Sequence, residues 1–126
     1  MTAADMPDDL RRFILTSVPS VPYLEAILLL QREQGTAWTA PILARRLYLP
    51  EPRAAELLAS LHSGGIVTES DTQGSYTYEP QAELAALLER LAHLYASNLV
   101  AVTDLIHSSV DRRAFQFADA FRLRKD

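Results

Sequence analysis

A chain of 126 residues is long enough for one domain to bury a core without disulfide or metal staples. It has no cysteine, which excludes disulfides and thiolate chemistry. The formal net charge of −4 is unevenly spread: residues 22–80 hold four arginines against seven acids, while residues 111–126 hold five bases against three acids.

The first ten residues carry Asp5, Asp8 and Asp9 and no basic segment leading into an apolar run, so they do not read as a signal peptide. Residues 1–6 are expected to be disordered, and Pro7 or Asp8 to open a helix ending near Ser17 (residues 8–17). Leu10, Phe13 and Ile14 give that helix one apolar face. Residues 19–22, Pro-Ser-Val-Pro, read as a stiff turn. Residues 23–34 follow as a core helix, apolar on nearly every side through Tyr23, Leu24, Ala26, Ile27, Leu28 and Leu30, with Gly35 as its left-handed cap. The longest apolar run, residues 26–30, is far too short to span a bilayer, so a cytoplasmic protein with no membrane partner is the expectation.

A short strand at residues 37–38 leads into a helix over 39–47, with Thr39 as N-cap and Pro41 in the first turn. Leu43, Ala44 and Leu47 point inward and Arg45 and Arg46 outward, while Leu49 plugs the turn at 48–50. The next helix, 51–63, buries Ala54, Leu57, Leu58 and Leu61 at i, i+3, i+4, i+7 and stops at Gly64-Gly65. Residues 66–69 and 75–78 alternate as two strands around the turn-rich tip Asp71-Thr72-Gln73-Gly74. After Pro80, residues 81–108 read as one long helix or two nearly collinear ones. Leu84, Leu88, Leu91, Tyr95, Asn98, Val102 and Leu105 step by alternating fours and threes, a heptad seam wide enough to suggest a homodimer in which Asn98 pairs with its symmetry mate. The alternative is a helix packed wholly within one chain with Asn98 bonded locally. Asp111 caps a final helix bearing Ala114, Phe115, Ala118, Phe121 and Arg122 on one side, so residues 81–126 read as a helical dimerisation or docking region.

The expected fold class is therefore mainly α with a small β-hairpin wing: a helix-turn-helix with flanking N-terminal and long C-terminal helices in a single domain. The pattern of Thr39, Leu43-Ala44, Leu47, Leu49, Ala54, Leu57-Leu58, Leu61 and Gly65-Ile66-Val67 resembles bacterial winged helix-turn-helix regulators, in a layout similar to the MarR and PadR types. The resemblance covers roughly the middle third of the chain. Two departures stand out: Tyr48 where such proteins often have glycine, and Pro50 where they have a capping Ser or Thr. The wing tip also has no Lys or Arg.

What the resemblance implies is a second helix entering the major groove, with Pro52, Arg53, Ala55, Glu56 and Ala59 toward base edges. Arg53 would read guanine, Arg45 and Arg46 would hold phosphates, and Gln73 or Ser75 would do so from the wing. Glu51, Glu56, Glu69 and Asp71 would lie near phosphates and oppose binding. The three histidines have no second ligand at helical spacing, so no metal or cofactor is expected, and neither a phosphate loop nor a nucleophile with its base marks an enzyme. Two readings follow: a dimeric DNA-binding transcriptional regulator, and a winged-helix protein-interaction module that has lost DNA, with the wing, the edge near Tyr76 and Tyr78, or the aromatic C-terminal helix meeting the partner. A continuous positive strip over Arg45, Arg46 and Arg53 separates them: intact, it favours DNA; broken, it favours a protein.

Overall fold

The computed structural model describes residues 5–109. It is mainly helical, with one two-stranded antiparallel hairpin, a shape compatible with a helix-turn-helix-type fold. The chain divides into two compact units. One is Pro22–Ala92; the other gathers, of the described residues, 5–21 and 93–109.

In the first unit, helix α2 (Val21–Arg32) begins two residues earlier than the sequence pattern suggested. The segment expected as a stiff turn therefore runs into it. Pro22 enters the first turn, where its missing amide costs nothing and its fixed φ suits a helix. Tyr23, Leu24, Ala26, Ile27, Leu29 and Leu30 are all buried, as a helix apolar all round requires. Gly35 ends the segment at φ +88°. Helix α3 (Ala40–Leu47) starts at Thr39, whose carbonyl accepts the Leu43 amide at 2.9 Å but whose hydroxyl caps nothing. Helix α4 (Glu51–Ser63) packs on α3 and starts at Pro50, whose carbonyl accepts the amides of Arg53 and Ala54.

The end of α4 is tightly specified. The Gly65 amide bonds the His62 carbonyl at 3.1 Å and the Ile66 amide reaches back to Leu61 at 3.0 Å, the paired bonds of a Schellman cap. That geometry needs a left-handed residue, and Gly65 supplies it at φ +76°. Ile66 and Leu61, the apolar pair that accompanies such a cap, are both buried. The cap aims the chain into strand β1 (Val67–Glu69), which pairs antiparallel with β2 (Tyr76–Tyr78) in the register Val67↔Tyr78, Thr68↔Thr77, Glu69↔Tyr76. On its other side Tyr76 exchanges both backbone hydrogen bonds with Trp38, at 2.7 and 2.8 Å, so the short segment expected at residues 37–38 forms a one-residue bridge to the hairpin. Helix α5 (Ala82–Ser97) follows.

In the second unit, helix α1 (Asp8–Ser17) buries Leu10 and Ile14 on the face their spacing marks. Met6 is only 3 % exposed, so the disorder expected for residues 1–6 does not reach it. From the C-terminal side comes helix α6, described over Leu99–Ser109. The buried Ser109 hydroxyl donates to the Leu15 carbonyl at 3.1 Å. The final helix expected after Asp111 lies outside the described residues.

Residues 81–108 are thus two helices broken at Asn98, and Asn98 is bonded locally. Its amide donates to Leu94 at 2.8 Å, its carbonyl accepts from Val102 at 3.1 Å, and its side chain donates to the Ser97 hydroxyl at 2.9 Å. The heptad seam is largely consumed inside the chain. Leu88, Leu91 and Val102 are fully buried and Leu105 is 7 % exposed, while a Leu84 methyl lies 4.0 Å from where a Cβ on Gly65 would sit. Tyr95 and Asn98 remain half-buried. No single helix among the described residues is long and apolar enough to cross a membrane.

Candidate functional site

The surface that the sequence singles out lies on α3, the turn after it and α4. With Ala54, Leu57, Leu58 and Leu61 turned into the core, helical geometry leaves Glu51, Pro52, Arg53, Ala55, Glu56 and Ala59 exposed on α4. This outward face carries one arginine, Arg53, beside Glu51 and Glu56.

The three arginines around it have different fates. Arg46 is committed within the fold. Both its terminal nitrogens hydrogen-bond the Glu33 carboxylate, Nη1 to Oε1 at 3.0 Å and Nη2 to Oε2, a fork-to-fork pair that ties α3 to the end of α2. The same guanidinium lies 5.6 Å from the centre of the Trp38 ring, within cation–π range. The bond from Arg46 holds the Glu33 carboxyl below its ordinary value, and the same bond raises Arg46 above its own. Arg53, expected to read bases, lies 3.4 Å from Glu56 one turn along the same exposed face. Arg45 is exposed and has no carboxylate partner among the described residues. The positive strip is therefore broken at two of its three points.

At the wing, Ser75 is 7 % exposed and its amide is bonded to the Thr72 carbonyl, so this candidate phosphate contact faces inward. Gln73 is exposed at the tip. The Glu69 carboxylate folds over to accept the Gly74 amide at 3.0 Å, and Glu79 accepts the Thr68 hydroxyl at 2.7 Å. The edge near Tyr76 and Tyr78, expected to be open to a partner, is not. Trp38 occupies the backbone of Tyr76, and Tyr78 is 8 % exposed. Burial pushes the Tyr78 hydroxyl pKa up, and the Glu89 charge adds to it. Tyr78 also lines a depression of about 320 Å³ with Gln31, Gln34, Glu79, Ala85 and Glu89.

Sequence reasoning noted Tyr48 only as a departure from glycine. It sits at φ +56°, ψ +47°, and is the one non-glycine residue with positive φ among the described residues. That left-handed conformation costs an L-residue about 1–2 kcal/mol. It lets the Leu49 amide return to the Ala44 carbonyl at 3.0 Å and closes α3. The side chain recovers nothing from packing, because Tyr48 is 94 % exposed. Beginning at the next residue is an open depression of about 450 Å³ lined by Pro41, Ala44, Arg45, Leu49 and Glu51.

Among the described residues no three His, Asp or Glu side chains are gathered as a metal site. In comparisons with known proteins, no family model matches the chain, and neither a curated protein nor a solved structure gives a significant match.

Proposed function

We propose that Pro22–Ala92 is a winged-helix recognition module whose partner is a protein, with the outward face of α4 and the turn before it as the contact surface. The observation that carries this reading is the pairing of Arg46 with Glu33 and of Arg53 with Glu56. Affinity for duplex DNA comes mainly from phosphates neutralised by Lys and Arg, and a head offering one unpaired arginine on this surface has little counterion release to draw on. The winged-helix assignment itself is supported by the order α2, Trp38 bridge, α3, α4 and hairpin. The module is non-catalytic in this reading.

A second reading, a DNA-binding transcriptional regulator, is favoured by one feature. Arg53 is exposed in the first turn of α4, and its partner contact, 3.4 Å and open to water, is one that phosphate can replace. Arg45, Pro52, Arg53, Ala55 and Gln73 would then carry the interface.

Capture of sheared genomic DNA by the purified protein at low salt separates the two readings, with Arg53→Ala and Arg45→Ala as controls. The protein-partner reading expects no site to be enriched beyond the level of these variants. Enrichment of one or a few sites that disappears in both variants would overturn it and establish the regulator.

A further inference from the structure

We infer that Tyr48 and the depression beside it form the docking site for a segment of another protein that presents a bulky apolar side chain next to a carboxylate. This rests on the protein-partner reading and names the chemistry of that partner.

The first support is that Tyr48 is a poor choice for the fold. Glycine or asparagine would hold the same left-handed turn with less strain, and the ring is 94 % exposed, so no packing offsets the conformation. Strained positions of this kind cluster where a contact outside the chain requires them. An exposed tyrosine offers a large, rigid contact area with a polar tip, and tyrosines are over-represented among the residues that dominate interfaces.

The second support is the concavity that begins at Leu49. Pro41, Ala44 and Leu49 give it apolar walls, which suit a bulky aliphatic or aromatic side chain. Arg45, in the same lining, is the arginine of this surface with no carboxylate partner among the described residues, so it is the group an incoming carboxylate meets. Glu51, also in the lining, opposes a second negative charge and so limits the segment to one acidic group on this side. A DNA backbone fits less well: it would place apolar walls and Glu51 against phosphates.

The test is selection of random peptides displayed on phage against the full chain. Enriched peptides are then labelled and titrated by fluorescence anisotropy against the wild type, Tyr48→Gly, Arg45→Glu and, as a charge control outside that lining, Arg12→Ala. The expected result is a shared pattern of a large apolar residue within a position or two of Asp or Glu. Affinity should fall by roughly 30-fold in Tyr48→Gly, the scale of a hot-spot side chain, and by about tenfold or more in Arg45→Glu. Arg12→Ala should bind like the wild type. Circular dichroism of Tyr48→Gly should show a fold at least as heat-stable as the parent, which separates lost binding from lost structure. Peptides that bind all four proteins equally would overturn the site but leave the protein-partner reading standing. Failure to enrich any sequence overturns the site as well, and if duplex DNA is instead bound in an Arg45-dependent way, both fall together.

Discussion

The Arg46 guanidinium grips the Glu33 carboxylate with both terminal nitrogens while lying over the Trp38 ring. One residue thus joins the end of α2, the bridge strand and α3, and its charge is already paired where a phosphate contact was expected. Because Arg46 holds the Glu33 pKa below its usual ~4.3, the pair is fully formed above that pH and is lost as the pH falls through the depressed value in the folded protein. Stability contributed by this pair therefore declines on the acid side only. Melting temperatures of the wild type and Glu33→Gln should differ at neutral pH and converge as Glu33 protonates. A gap that stays constant with pH would mean that the Glu33→Gln variant differs from the wild type through packing rather than charge.

Tyr48 gives a prediction about the fold that is independent of any partner. Tyr48→Gly removes a left-handed L-residue at about 1–2 kcal/mol and gives back part of that as extra freedom of the unfolded chain, about 0.4–1 kcal/mol. The expected net effect is stabilisation of about 0–1.6 kcal/mol. It should be read as a higher urea midpoint with an unchanged m-value. Tyr48→Ala, which keeps the Cβ and loses only the exposed ring, should leave the midpoint near that of the wild type.

Helix ends were the most legible feature of this sequence, because local chemistry writes them. Gly35, Gly64-Gly65 and the prolines at 41, 50 and 52 act within a few residues of where they stand, and α3, α4 and the hairpin fall where those signals put them. The break at Asn98 was invisible to periodicity, since the heptad of leucines runs straight through it. What marks it is Ser97-Asn98: the Ser97 hydroxyl donates to the His93 carbonyl, and the Asn98 side-chain amide donates to the Ser97 hydroxyl. The Glu33–Arg46 pair spans 13 residues and three elements, and no spacing rule reaches that far. The same limit applies to Tyr76. Alternation identifies its strand but cannot say that Trp38 takes its outer edge. The candidate site was therefore legible as a set of outward positions on α4, and illegible in its charge, which depends on contacts between elements.

Gly64 and Tyr23 should be energetically coupled. A Cβ built on Gly64 would stand 2.9 Å from the Tyr23 hydroxyl oxygen, and Tyr23 is 4 % exposed, with little room to retreat. Gly64 has φ −80°, a conformation any residue adopts, so the cost of Gly64→Ala is steric and not conformational. Overpacking of this size typically costs about 1–3 kcal/mol. In a Tyr23→Phe background the obstructing oxygen is gone, and the same substitution should cost much less. A double-mutant cycle in urea should give a coupling of at least ~0.5 kcal/mol; additive costs would place the strain elsewhere.

The buried seam makes the last prediction, which concerns assembly. Leu88 and Val102 are fully buried within a single chain, so each truncation removes core packing rather than a contact between copies. Leu88→Ala should destabilise by about 2–5 kcal/mol and Val102→Ala by somewhat less, according to how far each cavity collapses. Neither loss should depend on protein concentration, because the unfolding equilibrium of a core residue contains no association step. Urea transitions recorded over a hundredfold range of concentration, beside sedimentation of each variant, measure both quantities. If Leu88→Ala instead shifts a dimer–monomer equilibrium and its midpoint moves with concentration, the leucine seam serves a second copy after all. In that case the chain must rearrange around α5 to expose it.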